Sequence, residues 1–197
     1  RHTLGEAVAA IVLSTLVGVL LAFLLSTSQR VRTALVPNLV FFELIPKIAL
    51  APLFIIWLGT GSESRLAFGF FLSFFPIVIA STAGLVSTDA SLLRLCRALR
   101  ASWWQTLVQL RLPYAVPYVF SGIKIGSTMA VIGVIVGEFI TGNQGLGYII
   151  MFAASNMESA LMLGAMVLLC VLGTAIYGAV VLLELAAGQR YGRPQTA

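Results

Sequence analysis

Long apolar runs separated by short polar breaks dominate this chain. Five stretches, at about 4–25, 36–58, 66–86, 116–140 and 160–183, are each close to the ~20 residues an α-helix needs to cross the hydrocarbon layer. Apolar residues fill these stretches without the alternation of a half-buried strand, so the pattern predicts an all-α protein. The second stretch is interrupted by Pro46 and Pro52 and the third contains Pro76, so bends are expected there. The breaks at 59–65 and 141–147 are short and glycine-rich, as turns are. A short interfacial helix is expected at 148–155. The segment 87–113 is different: a polar island of about helical periodicity, closed by Leu112-Pro113.

Composition turns this pattern into a class. Of 197 residues, 59% are hydrophobic and only 10% are charged, against about 25% charged in a soluble domain. The chain is a polytopic membrane protein, with one transmembrane domain over 1–197. Its net charge of +5 does not point to nucleic acid, because the basic residues stand between apolar runs and read as topology signals. With the island inside, Arg30, Arg32, Arg94, Arg97, Arg100, Arg111, Arg190 and Arg193 are cytoplasmic, while Arg1 and Arg65 are external. That imbalance places the N-terminus outside and the C-terminus inside. An external N-terminus directly before a span suggests a further helix upstream, six in all.

Catalytic chemistry finds no footing. Cys96 and Cys170 have no metal or disulfide spacing, His2 stands alone, and no carboxylate pair or nucleophile set occurs. The chain is not expected to be an enzyme or to carry a cofactor or metal. The glycine-rich 141–147 lacks phosphate-loop spacing. The candidates are instead residues of transport. Gly122, Gly126, Ala130, Gly133 and Gly137 recur at steps of three and four, lining one helical stripe. Such a stripe serves close helix packing in lipid, or faces a translocation path or moving interface. Four charges fall within spans. Glu43 and Lys47 are spaced to pair near the inner end of span two. Lys124 is placed to snorkel or to attract an anion, and Glu138 to make a gate contact near the outer end.

The island reads as two short helices. Ser87, Thr88 or Asp89 can cap the first, on which Leu92, Leu95, Cys96 and Leu99 form a stripe with Arg94, Arg97 and Arg100 off it. Ser102-Trp103-Trp104-Gln105 has the form of a capping box opening the second, which Pro113 is expected to stop. Such a pair is a docking module for a soluble partner, or a hairpin lying on the inner leaflet.

The island resembles the cytoplasmic "EAA" loop of the permease subunits of bacterial ABC importers: Glu-Ala-Ala, three residues, Gly, nine residues, Ile-x-Leu-Pro. Leu112-Pro113 match its end and Leu110 stands for the Ile. Arg94, Leu95 and Cys96 then occupy the Glu-Ala-Ala positions and Arg100 the Gly. The flanking text is similar too: IPKIALAPLFIIWLGTG (45–61), SFFPIVIASTAGL (73–85), LPYAVPYVFSGIK (112–124) and GEFITGNQGLGYII (137–150). These resemble the branch that imports nitrate, sulfonates, taurine and a pyrimidine precursor of thiamine.

The resemblance implies the type I importer permease fold (MetI-like), usually of six helices, in the bacterial inner membrane. It implies a homodimer, two ATPase subunits that bind ATP and grip the islands, and a periplasmic substrate-binding protein. The coupling residues would be Arg94, Arg97, Arg100, Ala101, Ser102, Trp103 and Gln105. Arg94 reverses the charge of the loop's acid. Arg100 stands where a glycine would supply positive φ cheaply, so either the corner is built differently or the two helices run together. The rival is a stand-alone secondary transporter using Lys124 and Glu138 as coupling charges.

Overall fold

The computed structural model describes residues 2–141 and 144–191, with the side chains of 189–191 left aside. Arg1, Gly142, Asn143 and Arg193 lie outside it, as does the side chain of Arg190. The described elements are α1 (His2–Thr27), α2 (Gln29–Leu44), a 3₁₀ turn (Lys47–Leu50), α3 (Ala51–Leu58) and α4 (Ser62–Val86). There follow α5 (Ala90–Ala98), α6 (Trp103–Thr106), a π turn (Leu107–Arg111), α7 (Leu112–Thr141), α8 (Leu146–Ser155) and α9 (Ser159–Tyr191). Four helical stretches are long and apolar enough to cross a membrane, and α2 with α3 makes a fifth as a broken pair.

Burial centres on α4, which packs most extensively on α7 and next on α1. Small residues make this possible. Lipid tails are as apolar as leucine, so helices in lipid associate by close van der Waals contact rather than by hiding from water. The stripe on α7 lies against α4 along its length. A Cβ on Gly133 would come within 2.7 Å of the Gly69 Cα, and one on Gly126 within 3.1 Å of the Ser73 carbonyl oxygen. Gly122 faces Ala80 and Ile77, Ala130 is fully buried, and Gly137 lies on Arg65. The stripe therefore faces α4 and not open space. A second ladder runs down α1: Ala7, Ala10, Ser14, Gly18 and Ala22 are all buried.

Three sequence expectations are corrected. Span two does not bend twice. It breaks once, by 82°, between Leu44 and Lys47. Pro52 lies in the first turn of α3, where its missing N–H costs no hydrogen bond. The arm begins at Gln29 rather than near 36, and Pro37 sits inside it. Pro113 does not stop the second island helix. Helix runs without interruption from Trp103 to Thr141, 39 residues, so span four does not begin at 116. Proline cannot donate to the carbonyl four residues back and its ring would strike it. The π turn at Leu107–Arg111 sits just before Pro113, where a widened turn makes room. Lastly, Arg65 is 2% exposed and paired with Glu6, so it is no topology signal; the charge imbalance is steeper without it.

The broken span is held to α4 by aromatic rings. Phe54 meets Phe68 edge-on at 5.3 Å between centroids, and Phe42 stacks on Phe75 at 5.9 Å. The helix expected at 148–155 is present as α8, opened by Gly145 at φ +107°.

The α4–α7 seam predicts a sharp contrast. Gly133→Leu, which drives a side chain into backbone, should cost at least the ~1–3 kcal/mol of a typical overpacking change. Gly164→Ala on α9 meets nothing within 4 Å and should be neutral or slightly stabilising, because glycine inside a helix costs about 0.5–1 kcal/mol relative to alanine. Thermal unfolding of both variants in detergent checks this; equal melting would refute the seam.

Candidate functional site

The island builds a rigid corner. Asp89 caps α5, accepting from the Ser91 amide at 2.6 Å and from its hydroxyl at 2.6 Å. These bonds, the hydroxyl's foremost, hold the Asp89 carboxyl below its usual range. At the other end of α5, Ala101 N–H donates to the Cys96 carbonyl (2.9 Å) and Arg100 N–H to that of Arg97 (3.1 Å). This is the paired bonding of a Schellman motif. Its penultimate residue takes the left-handed conformation, usually as glycine; here Arg100 has φ +52°. The corner is thus made at the loop's glycine position, and the two helices do not run together. Next to it the capping box closes as expected: Gln105 N–H donates to Ser102 Oγ (3.2 Å) and Ser102 N–H to Gln105 Oε1 (2.7 Å).

What the corner presents is basic and apolar. Arg94, Arg97 and Arg100 are exposed, and none forms an ion pair among the described residues. Leu95, Leu99, Trp103 and Trp104 are at least half exposed. Trp103 stacks on Trp104 at 5.3 Å and meets Phe23 of α1 edge-on at 6.0 Å. Ala101 is half-buried beneath the corner. The expected leucine stripe is therefore only partly spent on the body of the protein.

The intramembrane charges are arranged otherwise than their spacing suggests. Lys47 pairs with Glu43, but across the break and not along one helix. Its ammonium also lies over the Phe75 ring, 5.0 Å from the centroid. Glu43 stands near the end of the 16-residue α2 that lies away from the α1–α2 elbow, a helix about 24 Å long. Lys124 neither snorkels nor stands free: it pairs with Glu184 of α9 at 2.6 Å.

Glu138 is not an isolated gate charge. It accepts from Thr3 Oγ1 of α1 at 2.6 Å and from the Gly147 amide of α8 at 2.7 Å. Beside it Arg65 holds Glu6 through Nε (2.8 Å) and Nη2 (2.6 Å) and reaches Thr141 Oγ1 at 3.2 Å. This buried cluster latches α1, α4, α7 and α8 together at the end opposite the island. Sequence reasoning missed Glu6, which it left inside the first apolar run, and Glu184, which stands at the end of the fifth. The signal was there: an unexplained acid within a span implies a cation partner.

Lys124 and Glu138 thus bind separate partners on one helix. They do not pair with each other.

Two outcomes test these geometries. Arg65→Gln, leaving Glu6 buried and unpaired, should destabilise by ~3–5 kcal/mol, and Glu6→Gln in the same chain should recover part of it; additive losses in thermal melting would refute the latch. Arg100→Gly should keep the corner and stabilise it by about 1 kcal/mol, the penalty of a non-glycine residue at positive φ. Slower amide exchange over 95–106 checks this, and faster exchange would contradict it.

Residues 14–187 match the family described as binding-protein-dependent transport system inner membrane component. A Haemophilus influenzae protein named "Probable ABC transporter permease protein" is 34% identical over 89% of this chain and 71% of its own length. The formylaminopyrimidine transport permease protein ThiX of Halalkalibacterium halodurans is 34% identical over 87% of this chain and 69% of its own. The riboflavin transport system permease protein RibX of Chloroflexus aurantiacus is 33% identical over 77% and 56% respectively.

Proposed function

Because this chain belongs to the family of binding-protein-dependent transport inner membrane components, an all-α polytopic permease of ABC importers, we propose that it forms one half of the path of an ATP-driven importer. Two copies line the path, two ATPase subunits seat the islands, and a periplasmic binding protein delivers cargo to the latched face. The island and C-terminus are cytoplasmic. Closure of the ATPases on ATP draws the islands together and exposes the path outward.

The observation that carries this reading is the corner at Arg100. A non-glycine residue at positive φ makes a sharp corner at the position where the family's coupling loop carries its glycine, which supports the reading. An exposed surface of two tryptophans, two leucines and three arginines without an ion pair among the described residues adjoins it. Tryptophan and arginine are the residues that most often anchor interfaces. Arg94 stands where the family's loop carries an acid, so the complementary groove on this ATPase should be acidic where its relatives' is not.

For the cargo, the ion pairs favour a polar, uncharged solute over an anion. Lys47, Arg65 and Lys124 each have a carboxylate partner, so none of these three is free to attract a sulfonate or nitrate, and Arg32 and Arg111 lie at the island end, opposite the face that receives cargo. A nitrogen heterocycle of the kind named for the ThiX and RibX relatives fits this better. Calorimetry of the partner binding protein with formylaminopyrimidine and with taurine decides it; tight taurine binding would overturn the assignment.

The coupling reading has its own test. With the chain, its ATPase and its binding protein reconstituted in proteoliposomes, Arg94→Glu should cut cargo-stimulated ATP hydrolysis at least about tenfold, in line with 2–5 kcal/mol for breaking an interfacial charge pair. A compensating acid-to-lysine change on the ATPase should restore it. Undiminished stimulation in the Arg94→Glu complex would reject the proposed contact.

A further inference from the structure

At the island end of the molecule two adjoining spaces share one wall. The first is a polar chamber of about 360 Å³ between the α1–α2 elbow, the end of α4 and the island. Its lining includes Gln29, Arg32, Thr88, Trp103 and Arg111. The second is an apolar groove of about 500 Å³ between α2 and α4, walled by Val36, Leu39, Ile79 and Ala83. Arg32 and Val86 line both.

The chamber is built for negative charge. Arg32 and Arg111 are half-buried, and neither meets a carboxylate within ion-pair distance among the described residues. No acid lines it. Asp89, next in sequence to Thr88, is already occupied by Ser91. Thr88 is 94% buried, from a relative exposure of 6%, and its hydroxyl has no hydrogen-bond partner among the described residues. A buried hydroxyl left unpaired is costly, and an acceptor entering the chamber could relieve it. Two half-buried guanidiniums without counter-ions are costly for the same reason, and a doubly bridging oxyanion is the group their forks fit.

The groove decides between a free anion and a lipid. It begins at the same Arg32 and follows α2 from Arg32 to Leu39, two helical turns or about 10 Å. A free phosphate has no use for an apolar channel beside its site; an acyl chain does. Basic pockets between helices at the cytoplasmic surface are where anionic headgroups bind, and 360 Å³ lies within the roughly 300–1,000 Å³ of small-molecule sites. We propose that this junction binds one anionic phospholipid of the inner leaflet, its phosphate between Arg32 and Arg111 and one acyl chain in the α2–α4 groove. The lipid then fastens the α1–α2 elbow to the coupling element through Trp103 and Arg111. The leaflet assignment rests on the orientation proposed above. The binding itself needs neither ATPase nor cargo, so the two readings can fail separately.

Native mass spectrometry of the delipidated full chain is the test, with phosphatidylglycerol, phosphatidylcholine and inorganic phosphate added in turn. Phosphatidylglycerol should bind one per chain. Losing both arginines in Arg32→Gln/Arg111→Gln should weaken it roughly twenty-five-fold, at about a factor of five for each arginine near an anionic surface. Ala83→Trp, which fills the groove and spares the arginines, should weaken phosphatidylglycerol as well. Monodisperse elution and unchanged helical circular dichroism certify that each variant is folded. Equal affinity of wild type and the double-arginine variant overturns the site. Equal affinity for phosphatidylcholine overturns the anion requirement. Displacement of the lipid by millimolar inorganic phosphate, or indifference to Ala83→Trp, overturns the lipid as occupant.

Discussion

The molecule depends on how closely two backbones can approach. At Gly133 and Gly69, α7 and α4 meet with no room for a methyl group. In lipid, apolar side chains gain little by turning inward, so an apolar helix has no reason to prefer a neighbour over a fatty chain. Close contact supplies the reason, through dispersion and through the packed dipoles of facing backbones. Everything else is hung on that seam. The α1 ladder packs into the same seam, where Ala10 meets Gly69 beside Val134 of α7, the broken span docks on the phenylalanines of α4, and α9 lies outermost with little of its surface covered.

Charge obeys a second constraint. Lys47, Arg65 and Lys124 each have a carboxylate partner, and each pair spans a joint rather than a uniform stretch of helix. Lys47 and Glu43 straddle the break in span two, Arg65 and Glu6 bind α4 to α1, and Lys124 and Glu184 bind α7 to α9. Of these only Arg65 with Glu6 is buried; such a pair adds little net stability over apolar residues but strongly penalises separation. Together the pairs fix which helix lies beside which, a question that a uniformly apolar surface leaves open.

Much of this was legible in the residues. Apolar length located the spans, and the spacing of Gly122 to Gly137 exposed one face of the seam. Ser102 and Gln105 announced their cap because both partners are local. What was not legible depended on residues distant in sequence. Glu138 looked like a lone acid because Thr3 is 135 positions away. Lys124 looked free because Glu184 lies on another span. Pro113 misled for a different reason: proline argues against a helix, but a widened turn just ahead of it removes the objection, and nothing in composition marks a π turn. Arg100 was legible only as a conflict. The resemblance asked for glycine geometry, the residue argued against it, and the hydrogen bonds of the Schellman corner prevailed.

The unbroken helix from Trp103 to Thr141 has a mechanical consequence. It is a beam held along most of its length: Ala115 and Tyr118 lie on Gly84, Gly126 on Ser73, Gly133 on Gly69 and Gly137 on Arg65. Only the stretch from Trp103 to Ala115, roughly 18 Å, stands ahead of that seam. A push at the tryptophan end therefore does not turn the helix about one point; it is passed to α4 along the whole contact and to the buried charge cluster at the far end. The π turn at Leu107–Arg111 is the compliant section through which the push must pass.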